Sequence, residues 1–366
     1  MNKKLIALAV AGATFAPAAM AQSANPVTLY GRAWVMFNSM KADGGATPLS
    51  TRNTVVNESS LIGIRGTEDL GGGLKAFFQL EMGYAPDENV TSVSSLSPAP
   101  ATTPISINNS PVSGRNSAVG LQGGFGSVLL GRWDTPMKLV SITVDPFGQN
   151  TIGNQLTVTQ SNWSRRETNS IQYWSPTVAG FAARGMYSAN EGKQSATPFA
   201  NPSSAGFSVG YTGGPIWVGY AWERHKDQVG TTITAGVRET GDTLAGTVVF
   251  GPVKVGLLTQ KVKSTNRADA KTNYGAFTYT LGKNEFVIVA GTLKNGALTT
   301  AALQPDTKMT GVGYNYNFSR RTTFMMRYTT VKNNAAANTA LNASGLPGFV
   351  VDDDPKGFGA GLRHTF

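Results

Sequence analysis

"LIGIRGTEDLGGGLKAFFQLEM", Leu61 to Met82, sorts by parity into two faces. After the glycine run, Leu74, Ala76, Phe78, Leu80 and Met82 fall on one side. Lys75, Phe77, Gln79, Glu81 and Gly83 fall on the other. Apolar residues at every second position mark a β-strand, because successive side chains of an extended chain point to opposite faces. Before the turn, Ile62 and Ile64 point one way while Gly63, Arg65 and Thr67 point the other. The stretch is a hairpin with one apolar and one wet face. A soluble sandwich and a membrane barrel both demand such hairpins.

The pattern recurs along the chain. In the run from Val27, residues Val27, Leu29, Ala33, Val35 and Phe37 share a face, and Thr28, Tyr30, Arg32, Trp34 and Asn38 share the other. Phe207, Val209 and Tyr211 alternate with Ser208, Gly210 and Thr212, and Ile216, Val218, Tyr220 and Trp222 stand opposite Gly219, Ala221 and Glu223. Val312, Tyr314, Tyr316 and Phe318 oppose glycines and asparagines, and Phe324, Met326 and Tyr328 oppose Thr323, Met325, Arg327 and Thr329. One segment, "EFVIVAG" from Glu285, is apolar on both faces, and the segment near Tyr274 is ambiguous.

Two kinds of connection alternate. Tight turns rich in Gly, Pro, Ser and Asn fall at 70–73, 123–124, 175–176, 213–214, 251–252, 281–284 and 319–321. Long polar connections cover roughly 39–57, 85–113, 134–166, 190–204, 226–241, 263–271, 295–306 and 333–355. Seven hairpins plus a first and a last strand give sixteen strands. Short turns at one end and long loops at the other describe a transmembrane barrel. A sandwich of this length would leave long unpaired edges, which soluble proteins suppress. In lipid every backbone group needs an internal partner, so the strands must close. The apolar face therefore meets lipid and the other lines water.

The N-terminus reads as an export signal. Asn2, Lys3 and Lys4 precede an apolar run from Leu5 to Ala19, followed by Ala19-Met20-Ala21. A basic start, an apolar core and a small-x-small site predict cleavage after residue 21. The apolar run falls short of the ~20 residues of a spanning helix. The expected organisation is a signal peptide over 1–21 and an all-β barrel over 22–366.

Composition narrows the function. The chain of 366 residues has no cysteine, so disulfide scaffolds are excluded. Its net charge is +10, and removing Lys3 and Lys4 lowers that to +8. An exported chain without a basic helix is not a nucleic-acid binder; the surplus suits a lumen or surface that attracts small anions. Only His225 and His364 are histidines, and neither has a Ser or Asp partner nearby in sequence for nucleophilic catalysis. Asp352 to Asp354 could meet a hard cation, though adjacent loop acids are more often simply solvated. No cofactor motif or metal spacing is present.

"LYGRAW", "GIRGTEDLGGGLKAFFQLE", "AVGLQGGFGSVLLGR", "NSIQYWSP" and the ending "GLRHTF" resemble the general diffusion porins of beta-proteobacterial outer membranes. The resemblance covers essentially the whole chain after residue 21. It implies a homotrimer of 16-stranded barrels set among the lipid and lipopolysaccharide of the cell outer membrane. It also implies a third loop folded into the pore, and a terminal Phe366 read by the barrel-assembly machinery. The connection Asp134 to Arg166, with "DPFGQN" at 145–150, matches that loop by position.

Charges inside a pore set its selectivity. By parity, Arg32, Arg65, Lys75, Arg166, Arg184 and Arg327 face the lumen. Arg132 shares parity with Val128 and Leu130, and joins the wall arginines through the resemblance alone. Asp145 is the expected acidic counterpart on the loop. Leu61 stands where many relatives carry a basic residue. The expected function is passive diffusion of inorganic ions and small hydrophilic solutes, with a weak anion preference. The alternatives are a channel specific for organic or inorganic anions and, less well supported, an outer-membrane barrel enzyme.

Overall fold

The computed structural model describes residues 27–44, 49–87, 114–148, 150–159, 163–189, 192–194, 199–229, 232–266, 269–295, 306–334, 337, 341 and 352–366. The expected signal peptide lies outside the described residues.

Seventeen strand segments make sixteen staves. The first is β1 (Thr28–Gly44); β2 (Leu49–Asn57) and β3 (Leu61–Gly71) together form the second. β3 pairs with the start of β1, Thr28 to Arg32, and β2 with its later part, Val35 to Ala42. Between them Ser59 adopts φ 71° and the amide of Glu58 donates to the Trp34 carbonyl, so the stave bends without losing its partner.

β4 (Leu74–Gly83), β5 (Ser117–Gly123), β6 (Gly126–Asp134), β7 (Arg166–Trp174), β8 (Phe181–Ala189) and β9 (Ser203–Gly213) continue the wall. β10 (Ile216–Val229), β11 (Thr232–Phe250), β12 (Val253–Ser264), β13 (Ala270–Leu281), β14 (Asn284–Asn295), β15 (Asp306–Asn317), β16 (Thr322–Asn333) and β17 (Asp353–Thr365) complete it. Each stave runs antiparallel to the next, and β17 returns to β1 from Arg32↔Thr365 to Gly44↔Asp353, closing the barrel. The 16-stranded barrel expected from the alternation is thus present, with no free edge.

The outward parity is the apolar one: Leu29, Phe37, Ile64, Phe78, Val119, Leu130, Leu257 and Ile288 are all exposed. A water-soluble surface would not carry such a belt, whereas lipid requires it. Some expected loops are strand instead. β10 and β11 run on through 226–241 and leave only 230–231 between them. Their outer ends carry polar residues on both faces, so the alternation that marks a lipid-facing strand fades there although the ladder continues. Asp227 (φ 52°) bulges at this point, and its carboxylate accepts from the amides of Asn201 and Gly236.

The chain after β6 turns inward. Helix α1 (Pro136–Ser141) is followed by one-turn 3-10 segments at Ile142–Val144 and Gln155–Thr157. Met137, Val140, Val144, Phe147, Ile152, Val158 and Trp163 bury themselves against Ala221, Leu258, Tyr274, Val287, Val289 and Met309 of the wall. This explains the doubly apolar "EFVIVAG". Phe286 and Ile288 of β14 face lipid, while Val287 and Val289 face the inward loop.

Candidate functional site

Sequence fixes the inward loop at several points. Thr135 caps α1, its hydroxyl accepting from the Lys138 amide at 3.2 Å, and Pro136 begins the helix where no amide is needed. The Asp145 carboxylate accepts from the Phe147 amide (3.1 Å), the Gln155 amide (3.3 Å) and the Tyr274 hydroxyl (3.2 Å). Phe147 lies under the Arg327 guanidinium, 4.5 Å from the ring centroid. Gly313 makes room for it: a Cβ there would lie 2.7 Å from the Phe147 ring. Arg327 is fully buried and donates to the carbonyls of Met326 (2.8 Å) and Tyr314 (3.3 Å). It keeps the inward parity but is sealed behind the loop, so it anchors the loop and does not meet the pore.

Between the loop and the opposite wall lies a cavity of ≈ 340 Å³. Arg32, Arg115, Arg166 and Arg363 line it with Glu81, Asp134 and Asp145. Two arginines there are matched by acids. Arg115 Nε pairs with Glu81 Oε1 at 2.6 Å, and Tyr30 donates its hydroxyl to the same carboxylate. Arg166 Nε lies 3.2 Å from Asp134 Oδ1, which also holds Lys138 Nζ at 2.8 Å. Burial pushes the Lys138 ammonium below its usual range, and Asp134 opposes that shift.

The other two have no carboxylate within ion-pair distance among the described residues. Arg32 donates to the Ser59 carbonyl from Nε (3.1 Å) and Nη2 (2.7 Å). The guanidinium groups of Arg32 and Arg363 lie 5.4 Å and 5.6 Å from the Trp34 ring centroid. A buried indole between two cations gives each a face to rest on while leaving it without an ion-pair partner.

The remaining sequence-selected residues spread along the wall. Arg132 follows Gly131 at a register break between β6 and β7, half-buried and near enough for its charge to act on Arg166. Arg65 lies over Tyr30, 5.0 Å from its ring centroid. Arg184 lies 5.2 Å from the Trp174 ring centroid and lines a separate cavity of ≈ 410 Å³ beside α1. Lys75 is exposed beside the tight Gly71–Gly73 turn. Asp145 borders the cavity, but its carboxyl is enclosed by the loop and Tyr274. Burial raises it to about 6.

Parity had no access to Arg115, which precedes β5 and belongs to no alternating run. Arg363 could have been found, because it sits opposite Leu362 on the last strand. Glu81 lay on the wet face of the opening hairpin, unread as a partner for any arginine.

The two histidines are apart. His225 is buried, with Nε2 2.8 Å from Glu223 Oε1 and its ring stacked 4.2 Å from Trp163 of the loop. Glu167 lies close by, paired with Arg165. His364 faces outward beside Thr322. Asp354 of the acidic run accepts from the Asn333 amide at 2.8 Å.

Comparison with known proteins agrees with this geometry. Residues 7–336 match the Gram-negative porin family. The chain is 31% identical over its full length to all of outer membrane porin protein 32 of Delftia acidovorans. It is 31% identical to major outer membrane protein P.IB of Neisseria gonorrhoeae over 58% of this chain and 57% of that one. The anion-selective porin from Comamonas acidovorans superposes with a TM-score of 0.74 and 25% identity, over 93% of this chain and all of that one. OmpT of Vibrio cholerae shares the fold at 16% identity, with a TM-score of 0.66 over 94% of this chain and 98% of that one. A closed barrel with an apolar outer belt, a charged constriction beneath an inward loop, and a family match along most of its length make this chain a member of the Gram-negative porin family, a channel of the outer membrane.

Proposed function

We propose that the channel passes inorganic ions and small hydrophilic solutes passively, with a weak preference for anions set by Arg32 and Arg363. The observation that carries this reading is the pair of guanidinium groups flanking Trp34, which lack an ion pair where their neighbours Arg115 and Arg166 have one. Low-dielectric walls focus their field on the passing ion. The similar porin from Comamonas acidovorans is described as anion-selective, which supports the same sign here. No catalytic role is assigned to His225 or His364.

The chain works as a homotrimer after cleavage of residues 1–21. Phe366 serves as the signal to the assembly machinery, and lipid and lipopolysaccharide surround the barrel. The face from β5 to β8 suits subunit contact: its strands are the shortest, and Val119, Leu130, Ile171 and Tyr187 give it an apolar surface. A planar bilayer under a KCl gradient tests the selectivity. A reversal potential on the chloride side supports it, and one on the potassium side refutes it. A solute-specific channel is the second reading, since Arg32 and Arg363 could together hold an organic anion. Block of chloride current by a dicarboxylate, with no block by a neutral sugar of similar size, would favour that reading.

A further inference from the structure

A second group of buried polar side chains lies under the return of the inward loop, and none of its members lines the cavity around Arg32. Glu223 and His225 alternate on the inward face of β10, and Glu167 sits at the start of β7. In the wall, β8 and β9 separate these two staves. The fold nevertheless brings one oxygen of each carboxylate and one imidazole nitrogen within 4.8 Å of one another. All three side chains are buried, Glu223 and His225 completely. Glu239 of β11 stands opposite His225 in the ladder and is fully buried too, so a third carboxylate adds its charge beside the group.

The bonds within the protein leave this group incomplete. Glu223 Oε1 meets His225 Nε2 at 2.8 Å, but Glu223 Oε2 and His225 Nδ1 make no hydrogen bond although both are shut from water. Glu167 gives one oxygen, Oε1, to Arg165, and a carboxylate has a second. Buried polar atoms almost always find a partner, so a cluster of them without one points to a ligand.

Trp163 covers the group without filling it. Its ring stacks on the imidazole of His225, 4.2 Å between centroids and 14° from parallel. A metal binds imidazole through a nitrogen lone pair in the plane of the ring, so a stacked neighbour leaves that direction open. Gly241 of β11 provides the space for the indole, since a Cβ there would lie 2.7 Å from it.

We propose that Glu167, Glu223 and His225 bind a divalent transition ion of the zinc class. Carboxylate oxygens and a neutral imidazole are zinc ligands, at ~2.0–2.2 Å from the metal, and carboxylate rotation closes the present spacing to that shell. Calcium and magnesium prefer all-oxygen shells and suit an imidazole poorly. The ion offsets the buried carboxylates. It also ties the return of the inward loop to β10, a stave that β7 does not reach through the strand ladder. Sequence spacing does not show the site, because Glu167 is far along the chain from the other two.

The test is titration of the untagged, detergent-purified channel with ZnCl2 after chelator treatment, read by calorimetry. One Zn2+ per chain should bind, and a large excess of Mg2+ should not displace it. E223Q/H225Q should lower the zinc affinity by at least about tenfold, the least that even outer partners of a metal ligand usually cost. H364Q, which removes the outward-facing histidine, should bind zinc as the wild type does. Zinc should slow amide exchange over 163–168 in the wild type. Should the double variant fail to fold, H364Q alone decides. His225 is then the sole histidine of the chain, so X-ray absorption of the bound zinc must carry the scattering of one imidazole. No zinc binding by the wild type, equal affinity in folded E223Q/H225Q, or loss of binding in H364Q would overturn the proposal. Bound zinc without imidazole scattering, displacement by Mg2+, or unchanged exchange over 163–168 would overturn it too.

Discussion

Arg115 and Arg32 carry the same charge into the same cavity, yet only one has a carboxylate beside it. Neutralising Arg115 and Glu81 together leaves the net charge of the constriction unchanged. Neutralising Arg32 and Arg363 removes two positive charges. At about 6 Å in a water-filled section, one charge acts on a passing ion by roughly 0.7 kcal/mol, about threefold in permeability. R32Q/R363Q should therefore cut the chloride-to-potassium permeability ratio severalfold, and R115Q/E81Q should change it little. Reversal potentials at low salt decide, and equal shifts in both variants would refute the assignment. Asp145 gives a second handle. Its carboxyl titrates near 6, raised by burial, so the charge is present at pH 7.5 and lost at pH 5. Because the native state holds the proton more tightly than an unfolded chain does, this group favours the loop's seating below about pH 6 and disfavours it above. Anion preference should rise as pH falls through 6, and D145N should abolish that step while showing the acid-side selectivity throughout. Arg32 and Arg166 were legible because they alternate with apolar neighbours. Arg115 was not, because it stands outside any strand and reaches the pore through tertiary placement alone.

At the scale of the element, the inward loop is a hydrophobic plug against half of the wall. Phe147 is its central residue, fully buried between Arg327 and the space left by Gly313. Truncating such a ring usually costs about 3–5 kcal/mol. The barrel ladder does not depend on Phe147, so the loss should fall on the loop. F147A should keep its strand content and heat resistance, while amide exchange in 145–159 speeds up and single-channel noise increases. Unchanged exchange there would mean that Asp145 and Trp163 hold the loop unaided. The two glycines beside Phe147, Gly311 and Gly313, looked like ordinary wet-face residues in sequence. Their role depends on what packs against them from far along the chain. The same holds for "EFVIVAG", whose second apolar face has no explanation within its own strand. Periodicity reports which side a residue faces, but not what covers that side.

At the scale of the whole molecule, everything turns on closing the ring. Alternation gave sixteen staves because each has one lipid face, and lipid tolerates no unpaired edge. It did not show that the second stave is broken at Ser59, because β2 on the far side of the break is mostly polar and reads in sequence as part of the loop at 39–57. The seam itself is β17 against β1, and its last rung is Phe366. The Phe366 amide donates to the Gly31 carbonyl at 3.0 Å, and the Gly31 amide donates back to Phe366 at the same distance. The ring lies over Gly31, where any Cβ would collide with it, and still presents an exposed outward surface. Removing Phe366 thus deletes two closing hydrogen bonds and uncovers backbone on β1 at the membrane border. Unsatisfied backbone in lipid costs several kcal/mol per group, so the penalty falls on insertion and closure, not on export. Deletion of Phe366 should sharply lower the heat-resistant oligomer in the outer membrane while the processed chain still reaches the periplasm. Substitution by Tyr keeps the ring and both backbone bonds, and should restore most of that oligomer. If the truncated chain assembled at wild-type levels, neither the seam bonds nor the terminal ring would be needed, and assembly would have to be directed from elsewhere in the barrel.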